Sequence, residues 1–276
     1  MTAASVREPH PDDMLLAQAL LARGCETHLA AWDDPSVDWG AFDVAVLRSA
    51  WNYHLRVAEF VQWIASLESA GVAIVNPAAT VRWNLHKRYL LDLIGAGVSV
   101  VPTELVRASE LRERLAKAPW DEVVIKPAIS ASAHHTYRVS RGSAPPDELA
   151  LAMREIQDWV MQPFVRSVAE YGERSAICID GRVSHVVRKI ARSGDFRVQS
   201  DFGGSVGDEP LRNDDERFIA RVLEALPVRW IYARVDWAND PQPRVMEVEL
   251  IEPELFLSRD DSSASRLADA VMRDVA

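Results

Sequence analysis

Asp236, Glu247 and Glu249 lie on two apolar runs, residues 231–237 and 244–250, joined by the turn-forming stretch Asn239-Asp-Pro-Gln-Pro243. Side chains alternate faces along a strand, so Ile231, Ala233, Val235 and Trp237 share one side while Tyr232, Arg234 and Asp236 share the other. In the second run Glu247 and Glu249 oppose Met246, Val248 and Leu250, so the three carboxylates converge from neighbouring strands. Carboxylates two positions apart on a strand are separated by about 7 Å and cannot both stay ionised in a partly dry site without compensation. Mg²⁺ supplies that compensation: it takes oxygen ligands, typically one or two carboxylates together with phosphate oxygens. The cluster therefore suits a metal-nucleotide. The plainer alternative, a solvated acidic hairpin, fits poorly with the apolar opposite faces.

Other residues could meet the phosphates. Lys126 ends the apolar strand 122–126 and is fixed by Pro127, a poor place for packing and a good one for reaching an anion. The loop 128–135, Ala-Ile-Ser-Ala-Ser-Ala-His-His, has the small residues of a mobile cover but no glycine, so it is not a P-loop. Its His134 and His135 read as exposed bystanders rather than acid-base groups. The strand 159–165 stops abruptly, leaving backbone groups free for an adenine edge at a lobe junction. Arg48, Ser49 and Asn52 follow the strand 43–47, where ligands of parallel sheets bind; a turn with Trp51 packed inward is the equal alternative. Arg188 and Lys189 point to opposite faces of their strand, and Arg197 precedes a flexible Gly203-Gly204 pair.

The elements that must position these groups fall into three stretches. Short strands at 1–5, 27–31, 43–47 and 72–75 alternate with helices over 12–24 and 57–70, which predicts a parallel α/β lobe. A helix opened by Arg82 and running past Leu93 buries Tyr89, Leu90 and Leu93 while Lys87 points elsewhere. A smaller lobe then begins near Pro102. Beyond it come a hairpin about Asp180-Gly181, a helix over 214–226 and a closing helix packed by Leu267, Val271 and Val275. The expected boundaries are 1–100, 101–162 and 163–276.

Bulk properties narrow the partners. A net charge of −10 and a pI near 5.2 argue against nucleic acid. No apolar run approaches the roughly 20 residues of a membrane span, so no membrane is expected and a cytoplasmic location is. Cys25 and Cys178 have no CxxC partner and read as reduced.

Taken in order, Lys87, Lys126, the 162–165 hinge, Glu173, Arg188, Arg197, Asp236, Glu247 and Glu249 form a pattern that resembles the ATP-grasp ligases, above all their glutathione-synthetase-like and ribosomal-protein-glutamylating branches. The similarity covers nearly the whole chain and implies an α/β ATP-grasp fold: an N-terminal parallel lobe, a small central lid lobe and a C-terminal antiparallel-sheet lobe carrying the metal site. It implies ATP and one or two Mg²⁺ ions as cofactors. Lys87 and Lys126 would hold phosphates, Gln162, Phe164 and Val165 would read adenine, and Glu173 would bind the ribose. Metal ligands would be Asp236, Glu247 and Glu249, the last standing where the family usually has Asn. The covering loop departs too, with Ser130, Ala131, Ser132 and Ala133 where glycines are common.

The implied reaction activates a substrate carboxylate as an acyl phosphate, which a nitrogen nucleophile then attacks. Lys126, Arg197 and Arg234 would neutralise charge at the transferred group. A small amino-acid-like substrate would be held by Arg48, Ser49, Asn52, Arg188, Arg197, Gly203 and Gly204. The motifs Arg48-Ser-Ala-Trp-Asn-Tyr, Arg82-Trp-Asn-Leu-His-Lys and Met246-Glu-Val-Glu-Leu-Ile-Glu-Pro resemble a compact branch of the superfamily whose best-defined activity is ring closure of O-ureido-D-serine to D-cycloserine. Other readings are an intermolecular amino-acid or peptide ligase, a nucleotide-binding protein without turnover, and a metal-dependent hydrolase that uses the three acids without ATP.

Overall fold

The computed structural model describes residues 1–6 and 8–275. The chain builds three sheets in succession. In the N-terminal part, α1 (Pro11–Leu21), β1 (Val44–Val46), α2 (Val57–Ala70) and β2 (Ala73–Val75) form the expected α/β alternation, with β1 and β2 parallel. The strands expected at 1–5 and 27–31 shrink to single bridges, Thr2 pairing with Ala31 and with Ser49. A cluster of aromatic side chains, Trp32, Tyr53, Phe60 and Trp63, fills this core and holds the short segments in place of a longer backbone ladder.

The acids that open α1 do more than favour its N-terminus. Asp12 and Asp13 are buried; Asp12 Oδ1 accepts from the Leu257 amide at 2.9 Å, and Asp13 accepts from the Ser49 hydroxyl at 2.5 Å. The helix expected from Arg82 past Leu93 is two, α3 (Ala78–Asn84) and α4 (Tyr89–Gly95). Lys87 sits in the break, its amide donating to the Ala128 carbonyl at 2.8 Å.

The middle of the chain is a four-stranded antiparallel sheet ordered β3 (Glu104–Arg107), β6 (Asp158–Pro163), β4 (Glu122–Pro127), β5 (Tyr137–Ser140), backed by α5 (Leu111–Ala116) and α6 (Asp147–Ala152) over a core that includes Leu111, Leu115 and Trp159. After α7 (Arg166–Glu170), the last part is a five-stranded antiparallel sheet ordered β11 (Pro243–Glu249), β10 (Tyr232–Asn239), β7 (Glu173–Ile179), β8 (Arg182–Ile190), β9 (Ser205–Asp208). The helices α8 (Asn213–Glu224) and α9 (Ser263–Val275) cover it, and α9 packs on α1.

An exposed sheet edge invites unwanted pairing, and β11 is an edge strand. Side chains of the N-terminal part close it. Asn84 Nδ2 donates to the Val248 carbonyl and its Oδ1 accepts from the Leu250 amide, both at 2.8 Å, while the Val248 amide donates to the Tyr89 hydroxyl at 3.2 Å. Asn76 Nδ2 adds bonds to the Tyr232 and Leu250 carbonyls, each 2.8 Å. Tyr232, expected on the polar face, is fully buried, its hydroxyl 2.7, 3.0 and 2.8 Å from the Leu47, Val75 and Ile251 carbonyl oxygens. These bonds fix the carboxylate hairpin against the first lobe. Among the described residues, no helix is long and apolar enough to cross a membrane.

Candidate active site

The β10–β11 register puts Asp236 opposite Glu247 and Arg234 opposite Glu249, so all four side chains share one face. A bulge follows: Trp237 pairs with Val245, leaving Met246 as the extra residue. Val245 therefore fills the core with Val248 and Leu250, and Met246, expected there, turns into the cleft beside Glu247. The alternation rule fails at this one residue because the bulge breaks it.

Two adjoining cavities meet over this hairpin, of about 120 and 280 Å³. The first lies between the four- and five-stranded sheets. Lys126, Gln162, Phe164, Val165, Glu173 and Arg197 line it together with Asp236, Met246, Glu247 and Glu249. The second opens toward the N-terminal part and is lined by His10, Trp51, Tyr53, Arg234, Glu252 and Glu254, among others. Lys87, the 130–132 backbone and side chains, Glu247 and Glu249 border both.

Charges in the first cavity are paired. Glu247 receives Lys87 Nζ at 3.0 Å and Lys126 Nζ at 3.4 Å. Burial alone would raise its pKa, but Lys126 and Lys87 outweigh burial and hold the carboxyl at about 2. Lys87 Nζ also donates to the Ser130 carbonyl at 2.8 Å, which links the helix break, the covering loop and the hairpin. Lys189 Nζ lies 2.5 Å from Glu173 and 3.1 Å from Asp236. Arg234 bonds both Asp236, at 3.0 Å through Nε, and Glu249. Against the effect of burial, Arg234 and Lys189 keep Asp236 far below the ordinary carboxylate range. Glu249 goes the other way, to about 7: burial raises it, the Asp236 and Glu247 charges add to that, and Arg234 compensates only in part.

Four acids, Asp236, Glu247, Glu249 and Glu173, are thus matched by four cations, Arg234, Lys87, Lys126 and Lys189. Among the described residues no group of three His, Cys, Asp or Glu side chains already surrounds one point, because Arg234, Lys87 and Lys126 sit between the acids. The donor chemistry still fits Mg²⁺: Glu247 and Glu249 offer hard oxygens, and a divalent ion needs only one or two carboxylates when phosphates supply the rest.

Several residues expected at a ligand lie elsewhere. Arg48 is buried against Asp13, at 3.6 Å, and over the Tyr232 ring; Ser49 bonds Asp13; Asn52 accepts from Trp32 Nε1 at 2.7 Å and donates to Asp33 at 2.8 Å. That segment reaches the second cavity through Trp51 and Tyr53 instead. Arg188 pairs with Glu209 at 3.6 Å and stacks on Tyr171, because Glu173 faces Lys189 in the ladder and sends its neighbour to the other side. Lys189 is the cation that enters the cleft. Gly203 and Gly204 line neither cavity. They make a tight return: Gly203 has φ +81°, and a Cβ on Gly204 would fall 2.1 Å from the Val198 carbonyl oxygen. Arg197 lines the first cavity, held by Asp195 at 2.7 Å and stacked on Phe202. His134 packs on His54 of the first lobe, with ring centroids 5.1 Å apart, so it docks the covering loop rather than standing free.

This architecture and cleft define an ATP-grasp ligase. The family described as the ATP-grasp domain of prokaryotic glutathione synthetase matches residues 96–240, and that of the N-terminal domain of D-cycloserine synthetase DcsG matches residues 1–76. The chain is 30% identical to the cycloserine biosynthesis protein DcsG of Streptomyces lavendulae, over 93% of this chain and 91% of that one. The crystal structure of D-cycloserine synthetase DcsG superposes with a TM-score of 0.87 at 29% identity, covering 100% of this chain and 98% of that one. The ATP-grasp ligase PsnB, solved with its minimal precursor, Mg and ADP, shares the fold at a TM-score of 0.62 and 16% identity, covering 97% and 94%. The chain belongs to the ATP-grasp ligase family, as a homologue of D-cycloserine synthetase.

Proposed function

We propose that the protein uses ATP to activate the carboxylate of O-ureido-D-serine and closes it to D-cycloserine. The observation that carries this reading is the junction of the two cavities at Lys87 and Glu247, with Lys126 beside it, where a phosphoryl group in one would meet a carboxylate in the other. Similarity to DcsG along nearly the full chain supports the substrate.

The first cavity suits the nucleotide. Met246, Val165 and Phe164 offer apolar surface for a base, Gln162 a polar edge, and Glu173 an acceptor for a ribose hydroxyl. Lys87 and Lys126 would exchange Glu247 for phosphate oxygens, and Glu247 and Glu249 would then hold Mg²⁺, which supplies charge neutralisation at the transferred group. A carboxylate oxygen of the substrate attacks the γ-phosphorus, ADP leaves, and an acyl phosphate forms. The ureido nitrogen attached to oxygen attacks the acyl carbon, inorganic phosphate departs with one former carboxylate oxygen, and hydrolysis releases the carbamoyl group as carbon dioxide and ammonia. Arg234, Lys126 and Arg197 are the cations placed to offset the growing charge, and the covering loop 128–136 excludes water.

Phosphate release tests the reading. With ATP, Mg²⁺ and O-ureido-D-serine alone, phosphate and D-cycloserine should appear in equal amounts. Phosphate release that requires a second amine would replace cyclisation by intermolecular ligation.

A further inference from the structure

The second cavity contains an acid that nothing in the cleft engages. Glu252 is only 6% exposed, yet among the described residues its carboxylate accepts no hydrogen bond and meets no basic side chain within 4.0 Å. Tyr53 beside the same cavity is equally buried, and its hydroxyl is likewise without a partner. The other acids of the cleft differ: buried Glu173 has Lys189, buried Asp236 has Arg234 and Lys189, and half-buried Glu247 has two lysines. Burial, then the neighbouring Glu249 charge, push the Glu252 carboxyl well above the ordinary carboxylate range, so on its own the acid is neutral and a cationic group placed beside it would draw it into its charged form. Glu254 is already approached by His10 at 3.7 Å and is more exposed.

The surroundings indicate what kind of cation. Aromatic walls from Trp51, Tyr53 and Phe256 suit an ammonium group, whose charge is attracted to ring faces. Trp51 also pins the Glu252 backbone, Nε1 donating to its carbonyl at 3.4 Å. Arg234 and Lys87 line the same cavity, so it offers groups for an anion as well as for a cation.

We propose that Glu252, assisted by the Tyr53 hydroxyl, receives the α-ammonium group of the amino-acid substrate and so turns its carboxylate toward Lys87, Lys126 and the γ-phosphate. This specificity role rests on the functional reading above. It would select an α-amino acid over a simple carboxylic acid.

Glu252→Gln tests the role, with O-ureido-D-serine and its analogue lacking the amine, 3-(ureidooxy)propanoate, as probes. The variant should raise the KM for O-ureido-D-serine at least thirtyfold, change kcat less than threefold and leave the KM for ATP unaltered. Both enzymes should bind the analogue weakly and equally in calorimetry on the ADP-loaded protein, and Tyr53→Phe should raise the amino-acid KM severalfold. An unchanged KM, or equal losses for both probes, overturns the role while leaving the ligase activity standing. If wild type does not turn over O-ureido-D-serine yet binds it more tightly than the analogue, and Glu252→Gln erases that difference, the ammonium site stands and the cyclisation reading falls.

Discussion

The half of the cleft between the two antiparallel sheets and the half facing the first lobe handle charge differently. In the former the carboxylates already have cations: Glu247 has Lys87 and Lys126, Asp236 has Arg234 and Lys189, and Glu173 has Lys189. In the latter Glu252 and Tyr53 are buried without side-chain partners among the described residues. A preformed ion-pair network keeps its geometry whether or not a ligand is present, and suits a nucleotide whose phosphates displace a carboxylate from the lysines. An unpaired acid is satisfied only by its ligand, so the second half gains most from selecting a substrate of the right charge.

The largest effect should come from the residue both halves share. Glu247→Ala leaves Lys87 and Lys126 without their carboxylate and removes a proposed metal oxygen, so turnover should fall on the order of a thousandfold in a phosphate-release assay. Activity within tenfold of wild type would break the distinction between a preset and a receptive half.

Next comes Lys189. Lys189→Ala strands Glu173 and leaves Asp236 with Arg234 alone, and breaking such a buried network costs about 3–5 kcal/mol, whereas Arg188→Ala on the outer face should cost less than about 1 kcal/mol. Denaturant midpoints of the two variants measure this, and equal losses would show that the ladder register does not separate the two faces.

Glu249→Asn has a smaller effect. The substitution removes a carboxyl that Arg234 neutralises only in part, so nucleotide affinity should persist and turnover fall no more than about tenfold. Isothermal titration with ADP and a parallel turnover assay check both halves of that statement.

The smallest effect is on the covering loop. Burial, then the neighbouring His134, lowers the pKa of His54 to about 4 in the folded protein, against an ordinary value of 6.5. The folded state therefore favours neutral His54, so its contribution is complete above pH 6.5 and is lost as pH falls toward 4. Hydrogen exchange of residues 128–136, corrected for intrinsic rates, should quicken between pH 7 and 5, and His54→Gln should flatten that dependence.

Much of this arrangement was legible in the residues. Strand alternation alone placed Arg234, Asp236, Glu247 and Glu249 on one face, and the isolated lysine before Pro127 marked Lys126. What escaped depended on contacts between distant segments. Choosing Lys189 over Arg188 required knowing which of them lies opposite Glu173. Met246 escaped because a one-residue bulge shifts the alternation, and no local signal announces it. Arg48 had the chemistry of a binding residue, but Asp13, 35 positions earlier in the sequence, claims it. Glu252 and Tyr53 read as ordinary, and only their burial in a shared cavity without partners singles them out.

The most direct test of the central claim, that a carboxylate in the second cavity is phosphorylated from the first, is isotopic. O-ureido-D-serine labelled with ¹⁸O in both carboxylate oxygens should, in a single turnover with ATP, deliver one ¹⁸O to the released inorganic phosphate and retain one in the ring carbonyl of the product. Phosphate released without ¹⁸O while product accumulates would contradict the account.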